Sequence, residues 1–432
     1  MTTFEKNRVL IGGATVYTDN GFGRRDVLLD GGRIAAIAEH IEPTETMNVI
    51  RADGKYLLPG LVDLHVHLRE PGGEQKERIA TATRAASRGG FTTICAMPNI
   101  TPAPDSVANI LVEQQLINRS AEIEVLPYAT ITAGRKGWEA VDFEALKPYA
   151  VAFSDDGNGI QSEGAMRNAM EQAARANVIL ALHCEVESLV GGGCIHKGEF
   201  AARHNYIGIP SESEWREVER DVKLAAETGC RIHICHVSSS ESVDCIRRAK
   251  AAGVAVTAET APHYLVLCDE DLKEEGRYKM NPPIRSRADM EALRRAVADG
   301  TIDVIATDHA PHTAEEKSRG LVDSPFGVSG LETALSTIYT FLVGSGIISL
   351  ERMVELLSVA PRRIFRLGGG LKVGERADLT IVDFASEFNI DSSRFLSMGH
   401  STPFDGMRVR GEVVMTISSG RIAYRRDRFK VS

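Results

Sequence analysis

Gly60-Leu-Val-Asp-Leu-His-Val-His-Leu-Arg-Glu-Pro71 reads as a β-strand that delivers chemistry at its end. Side chains on a strand alternate between faces, so His65, His67 and Arg69 project to one side while Leu64, Val66 and Leu68 project to the other. Two imidazoles at that spacing can grip one metal ion, and an arginine two residues on can hold an anion beside it. A lone His-x-His is also what a pair of hydrogen-bonded core histidines looks like, so its meaning depends on what the rest of the chain brings near it.

Seven further short apolar, β-branched runs follow: Thr92 to Asn99, Glu124 to Thr132, Val151 to Asp156, Val178 to Glu185, Arg231 to Ser238, Val254 to Ala261 and Asp303 to His309. Between them lie stretches of helical periodicity, such as Glu74 to Arg88, Glu163 to Ala176, Glu214 to Thr228, Ser240 to Ala252 and Ala288 to Ala298. Glycines 89, 229, 253 and 300 close four of these. Eight alternating strand and helix units predict an α/β fold, a closed parallel (β/α)8 TIM-like barrel over residues 57–365. The chain ends differ, with short β patterns and Gly turns at Arg8 to Tyr17, Asp26 to Ile37, Ala377 to Asp383 and Gly411 to Tyr424. Neither end is long enough for a strong core of its own. Residues 1–56 and 366–432 are therefore expected to pair into one small β-sandwich domain.

The composition, 43% hydrophobic and 25% charged over 432 residues, is that of a soluble globular protein. A net charge of −9, mixed along the chain, argues against a nucleic-acid partner; Arg362-Arg363 and the tail Arg425 to Arg428 read as solvated surface. Seven cysteines without a Cys-x-x-Cys pair make no disulfide framework and suit small buried thiols. The first residues lack the basic and apolar regions of a signal peptide, and no apolar run reaches membrane-spanning length. A reducing cytoplasmic location is the expectation, with no membrane partner.

In such a barrel the active site is built from the carboxyl ends of the strands. There stand His65, His67 and Arg69; Asn99; Asp155 and Asp156; His183; His236; and Asp308 followed by His312. Imidazole and carboxylate are the natural ligand set for zinc, and four histidines with two carboxylates exceed what one tetrahedral ion needs. The excess suggests two ions sharing a hydroxide that is nucleophilic at neutral pH. Asp155 and Asp156 point to opposite sides of a strand, so only one reaches the ions, and spacing alone does not choose between them.

The ordered set Asp63-Leu-His-Val-His-Leu-Arg-Glu-Pro-Gly72, Met97-Pro-Asn99, Phe153-Ser-Asp-Asp-Gly157, His183-Cys-Glu185, Cys235-His-Val-Ser238, Met280-Asn-Pro-Pro-Ile-Arg285 and Ala306-Thr-Asp-His-Ala-Pro-His312 resembles the class I dihydroorotases of the amidohydrolase superfamily. The resemblance covers nearly the whole chain. It implies Zn2+, one or two per chain, with His65, His67 and Asp308 on one ion, His183 and His236 on the other, and Asp156 bridging. Many relatives in the superfamily bridge with a carbamylated lysine, which this chain lacks there. Asp155 is left a supporting role.

The implied reaction is reversible ring closure of N-carbamoyl-L-aspartate to L-dihydroorotate, in de novo synthesis of UMP. In the hydrolytic direction a metal-held hydroxide attacks the ring amide, and Asp308 acts as general acid and base, moving the proton to the departing nitrogen. Arg69 shares a strand face with His65 and His67 and suits the substrate carboxylate. The resemblance adds Asn99 and His312 at that carboxylate, Asn281 at the pyrimidine ring, and backbone around Phe326 and Gly327. It also allows a homodimer and association with aspartate carbamoyltransferase.

His309, adjacent to Asp308, faces away and reads as structural or as a support to the ligands. His233 faces opposite to His236, and His40, His196, His204 and His400 lack any cluster; these five read as ordinary surface or loop residues. The stretch Ala310 to Pro325 reads as an active-site loop. Two other functions fit the same motifs: a related cyclic amidohydrolase (hydantoinase, dihydropyrimidinase or allantoinase), and a non-catalytic scaffold for aspartate carbamoyltransferase. Arg69, Asn99 and the aspartate bridge disfavour the first; a full set of ligand positions disfavours the second.

Overall fold

Eight parallel strands join edge to edge into a closed ring: Leu61–Val66, Phe91–Ala96, Glu124–Pro127, Phe153–Ser154, Ile179–Leu182, Arg231–Ile234, Val256–Thr260 and Val304–Ile305. Ladders connect the first three strands and the last five. The bridge Ala129 to Phe153 joins the third strand to the fourth, and the bridge Val66 to His309 returns the eighth to the first. His67 N–H donates to His309 O at 2.8 Å across that seam. This is the (β/α)8 barrel, seen in a computed structural model that describes residues 7–427 and 429–431. The first six residues, read above for a targeting signal, and Arg428 of the basic tail lie outside the described residues.

The strands end earlier than the apolar runs suggest, because the chain leaves the ladder to turn side chains into the mouth. Arg69, His236 and Asp308 each take a positive φ there (61°, 34° and 47°). Such backbone is disfavoured for residues with a Cβ and persists only where surrounding structure holds it.

Outside the ring the helices bury one stripe each. Glu163–Ala176 turns Met166, Ala169, Met170, Ala173 and Ala176 inward, is capped by Ser162 accepting from Ala165 N–H, and ends at Asn177 in the left-handed conformation. Glu212–Thr228, Ser240–Ala251 and Arg287–Asp299 likewise bury one stripe each. The helix expected from Glu74 begins only at Ile79. Glu70 Oε2 accepts from Ile79 N–H at 2.9 Å and so caps the helix there, while residues 74–78 turn toward the barrel mouth.

Both chain ends enter one eight-stranded sheet, in which Leu379–Asn389 pairs with Tyr56–Pro59. Val9, Ile11, Val16, Leu57, Leu379, Met415 and Ile417 form its own core. Thr380 Oγ1 donates to Gly90 O at 2.6 Å, fastening the sheet to the amino-terminal side of the barrel, and Arg362, read above as solvated surface, is buried there with Nη1 donating to Gly60 O at 2.7 Å. All seven cysteines are buried free thiols. Among the described residues no helix is long and apolar enough to cross a membrane.

Candidate metal centre

The strand ends bring His65, His67, Asp156, His183, His236 and Asp308 into one dry cluster, none more than 6% exposed. Asp156 Oδ1 lies 3.2 Å from His65 Nε2, 3.4 Å from His236 Nε2 and 3.6 Å from His183 Nδ1; its Oδ2 lies 3.5 Å from His67 Nε2. Asp308 Oδ1 lies 3.1 Å from His67 Nε2 and 3.6 Å from His65 Nε2. The nitrogens of His65 and His67 close on a common point with Asp308, and those of His65 and His236 with Asp156. Asp156 thus stands between two groups of imidazoles. Asp155 turns the other way, its Oδ1 accepting from Ile131 N–H at 2.8 Å and Thr132 N–H at 3.1 Å to shape the neighbouring loop.

These groups fit a divalent ion. His65 Nε2 is buried without a hydrogen-bond partner beside the Asp156 carboxylate, while His183 turns Nδ1 toward the same carboxylate at 3.6 Å and its Nε2 toward Glu185 Oε2 at 3.7 Å. His65 Nε2 closes with His67 and Asp308 on a shared point rather than along a hydrogen bond, the arrangement of metal ligands. Burial alone would raise the Asp156 carboxyl, yet the imidazoles of His65, His183 and His236 override it and hold Asp156 well below the usual range. Burial would depress His183, and Asp156 with Glu185 instead push it up to about 10. The carboxylates demand positive charge at this spot. A divalent cation supplies it while leaving the imidazoles neutral.

One layer out, His65 Nδ1 lies 2.7 Å from Glu259 Oε1, whose Oε2 lies 3.1 Å from His233 Nε2. His67 Nδ1 donates to Asn99 Oδ1 at 2.7 Å. Carboxylate and carbonyl partners of this kind fix the ring orientation of a ligating histidine. Asp63 ties strand one to strand eight by accepting from Thr307 Oγ1 at 2.6 Å and His65 N–H at 3.1 Å.

The anion side adjoins the cage. Arg69 is half-buried and donates from Nε to Pro311 O at 3.3 Å; its Nη2 lies 3.4 Å from His312 Nε2. His312 Nε2 lies 2.7 Å from Phe326 O. Gly327 N–H donates to Lys279 O at 3.0 Å, and a Cβ at Gly327 would meet Ala310 O at 2.5 Å, so only glycine lets the loop come this close. Backbone at Phe326 and Gly327 is therefore already engaged in building the wall. Asn281 donates from Nδ2 to Glu185 Oε1 at 2.8 Å and leaves its buried Oδ1 unpartnered, an acceptor offered to a ligand N–H.

Several neighbours escape the sequence reading. Glu259 sits inside a strand whose end carries no histidine or aspartate, though a lone glutamate in a β-branched run is itself a sign of a buried partner. His233, read as an ordinary surface or loop residue, is fully buried on Glu259, because strand alternation turned it toward the barrel interior rather than the surface. His196 is half-buried beside Arg285, with Nδ1 3.5 Å from Nη1. His263, not considered above, is buried after strand seven, and burial lowers it to about 4. His309 accepts from Gly330 N–H at 3.2 Å, away from the cluster.

A family model described as Dihydro-orotase-like matches residues 54–242. Proteins named Dihydroorotase from Bacillus cytotoxicus and Anoxybacillus flavithermus are each 49% identical over 93% of this chain, and over 94% and 95% of their own lengths. A third, from a Geobacillus sp., is 48% identical over 97% of this chain and 99% of its own. Among solved structures, an L-hydantoinase (dihydropyrimidinase) from Arthrobacter aurescens shares the fold with a TM-score of 0.88 at 27% identity, covering 100% of this chain and 98% of its own. A D-hydantoinase from a Bacillus sp. has a TM-score of 0.85 at 25% identity, covering 98% and 97%. With a histidine and aspartate cage at the mouth of a closed barrel, and nearly half its residues shared with these relatives end to end, the chain belongs to the dihydroorotase family.

Proposed function

We propose that this chain is a zinc-dependent dihydroorotase, interconverting N-carbamoyl-L-aspartate and L-dihydroorotate in de novo pyrimidine synthesis. The observation that carries this reading is the half-buried Arg69 guanidinium against His312, beside the cage of His65, His67, Asp156, His183, His236 and Asp308. A carboxylated cyclic amide needs both halves, an anion site and a Lewis-acid site, a few ångströms apart.

His65, His67 and Asp308 would hold one zinc, His183 and His236 a second, with Asp156 between them. When bound, zinc supplies Lewis acidity, polarising the ring amide carbonyl and easing deprotonation of the water that adds to it. Asp308 takes that proton and returns it to the ring nitrogen as the C–N bond breaks, since an amide nitrogen leaves only when protonated. Arg69, His312 and the Nδ2 of Asn99 grip the substrate carboxylate, and Asn281 Oδ1 accepts from a ring N–H. Phe326 and Gly327 shape the wall. Residues 57–365 supply this chemistry, and 1–56 with 366–432 make a supporting domain. The buried thiols suit a reducing cytoplasm.

The hydantoinase reading shares fold and reaction type. Arg69 disfavours it, because an uncharged ring leaves a half-buried guanidinium at the mouth without a substrate anion. Metal analysis with a substrate panel tests the proposal: zinc-loaded protein is expected to turn over dihydroorotate and to neglect dihydrouracil and hydantoin. The reverse preference would overturn the proposal, as would inactivity with metal bound.

A further inference from the structure

Lys76 lies outside every motif above, in the turn that the sequence reads as helix. Its Nζ is 3.2 Å from His312 Nδ1 and 3.0 Å from Glu316 Oε1. An ammonium can only donate, so at 3.2 Å it requires a lone pair on Nδ1. The opposite nitrogen agrees, since Nε2 lies 2.7 Å from the Phe326 carbonyl oxygen, which can only accept. The ring is therefore neutral with its proton on Nε2. Arg69 Nη2, 3.4 Å from Nε2, is then no partner but a second donor, and the two N–H groups border one space.

The other two forms fail on the same contacts. A proton on Nδ1 alone would face the ammonium of Lys76 and set the Nε2 lone pair against Phe326 O. A doubly protonated ring would stand among Arg69, Lys76 and Lys317, with Glu316 Oε2 the facing anion, 3.6 Å from Nδ1. Glu316 is occupied, accepting from Thr313 N–H at 3.0 Å and pairing with Lys76.

We propose that Lys76 is a positioning residue that fixes His312 in the neutral Nε2–H form, and so keeps that N–H, held by the Phe326 carbonyl until substrate arrives, beside Arg69 as a donor that the substrate carboxylate takes over. This rests on the substrate reading above, but the ring state itself needs no turnover. Burial first, then Arg69 and Lys76, hold His312 well below the usual imidazole range, in accord with a ring that stays neutral. Without Lys76, Glu316 is free to draw a proton onto Nδ1, and the ring gains a charge that titrates.

The test is nitrogen NMR of His312 in zinc-loaded, histidine-labelled protein, assigned by loss of the signal in His312→Asn. In wild type the ring is expected to carry its proton on Nε2 and not to titrate between about pH 5 and 8. In Lys76→Met it is expected to titrate inside that window, with KM for dihydroorotate raised roughly tenfold above it and kcat little changed. Lys76→Arg, another obligate donor, is expected to restore the wild-type ring. A wild-type proton on Nδ1, or an unaltered ring in Lys76→Met, overturns the proposal. Inactivity of a wild type that shows the expected ring overturns the substrate reading instead.

Discussion

Glu259 Oε1 lies 2.7 Å from Nδ1 of His65, and both groups are completely enclosed. The same carboxylate is shared with His233 at 3.1 Å, so a chain of three side chains runs from the metal cage into the barrel interior. Burial would raise the Glu259 carboxyl, but His233 and His65 hold it far below the usual range. Its carboxylate oxygens fix the orientation of the His65 ring that faces the cage.

Glu259→Gln keeps the shape and removes the charge. Zinc affinity, measured by chelator competition, is expected to fall roughly 10–100-fold, with turnover following at limiting metal. An unaltered metal affinity would mean that His65 is held by strand geometry alone.

Asp308→Asn separates ligation from proton transfer. Its turnover is expected to drop by roughly 10²–10⁴-fold even in preparations that retain metal. Circular dichroism of the variant should match wild type, since the Asp308 carboxylate pairs with His67 and His65 of the cage and Asn keeps its size. Residual turnover near wild type at equal metal content would assign the proton to another group.

Arg69→Met removes the guanidinium beside His312. The expected loss in kcat/KM for dihydroorotate is roughly 10–100-fold, the worth of a charge-assisted hydrogen bond. The same variant should lose nothing on dihydrouracil, which has no carboxylate to hold. Equal losses on both rings would place Arg69 in the scaffold of the loop rather than on the substrate.

Lys317 gives a pH dependence with a definite sign. Its Nζ donates to Lys279 O at 3.0 Å and Pro325 O at 2.9 Å, and burial, aided by the Lys279 ammonium, lowers it to about 7. An unfolded lysine keeps its proton to about pH 10.4. Between those values the unfolded chain binds the extra proton, so folded-state stability rises with pH across that window. Wild type should therefore gain on Lys317→Met by about 2–4 °C in Tm between roughly pH 7 and 10. Parallel melting curves across the range would show that the ammonium is not disfavoured where it sits.

The barrel and its chemistry were written in different hands. Strand count and strand-end side chains follow from local alternation, which is why His65, His67, His183, His236 and Asp308 could be brought to one mouth before any coordinates. Spacing alone did not choose between Asp155 and Asp156, because both follow a two-residue strand, Phe153–Ser154, and the turn after it decides which one faces the cage; only the family resemblance pointed to Asp156. Lys76 and Glu77 were hidden because the run from Glu74 has helical periodicity. A side-chain cap from Glu70, seven residues before Glu77, decides where that helix starts. Glu77 then crosses to the other chain end, where its Oε2 accepts from Met398 N–H at 3.1 Å, a contact no local pattern announces.

The bridge from Val66 to His309 shuts the cylinder between the strands that bear His65, His67 and Asp308. Suture and hearth coincide. A parting of these two edges by even a few ångströms would pull Asp308 from its imidazoles while most of the interior stayed packed. Heat or mild denaturant should therefore silence the protein well before it melts, and exchange of the His67 amide would time that silence.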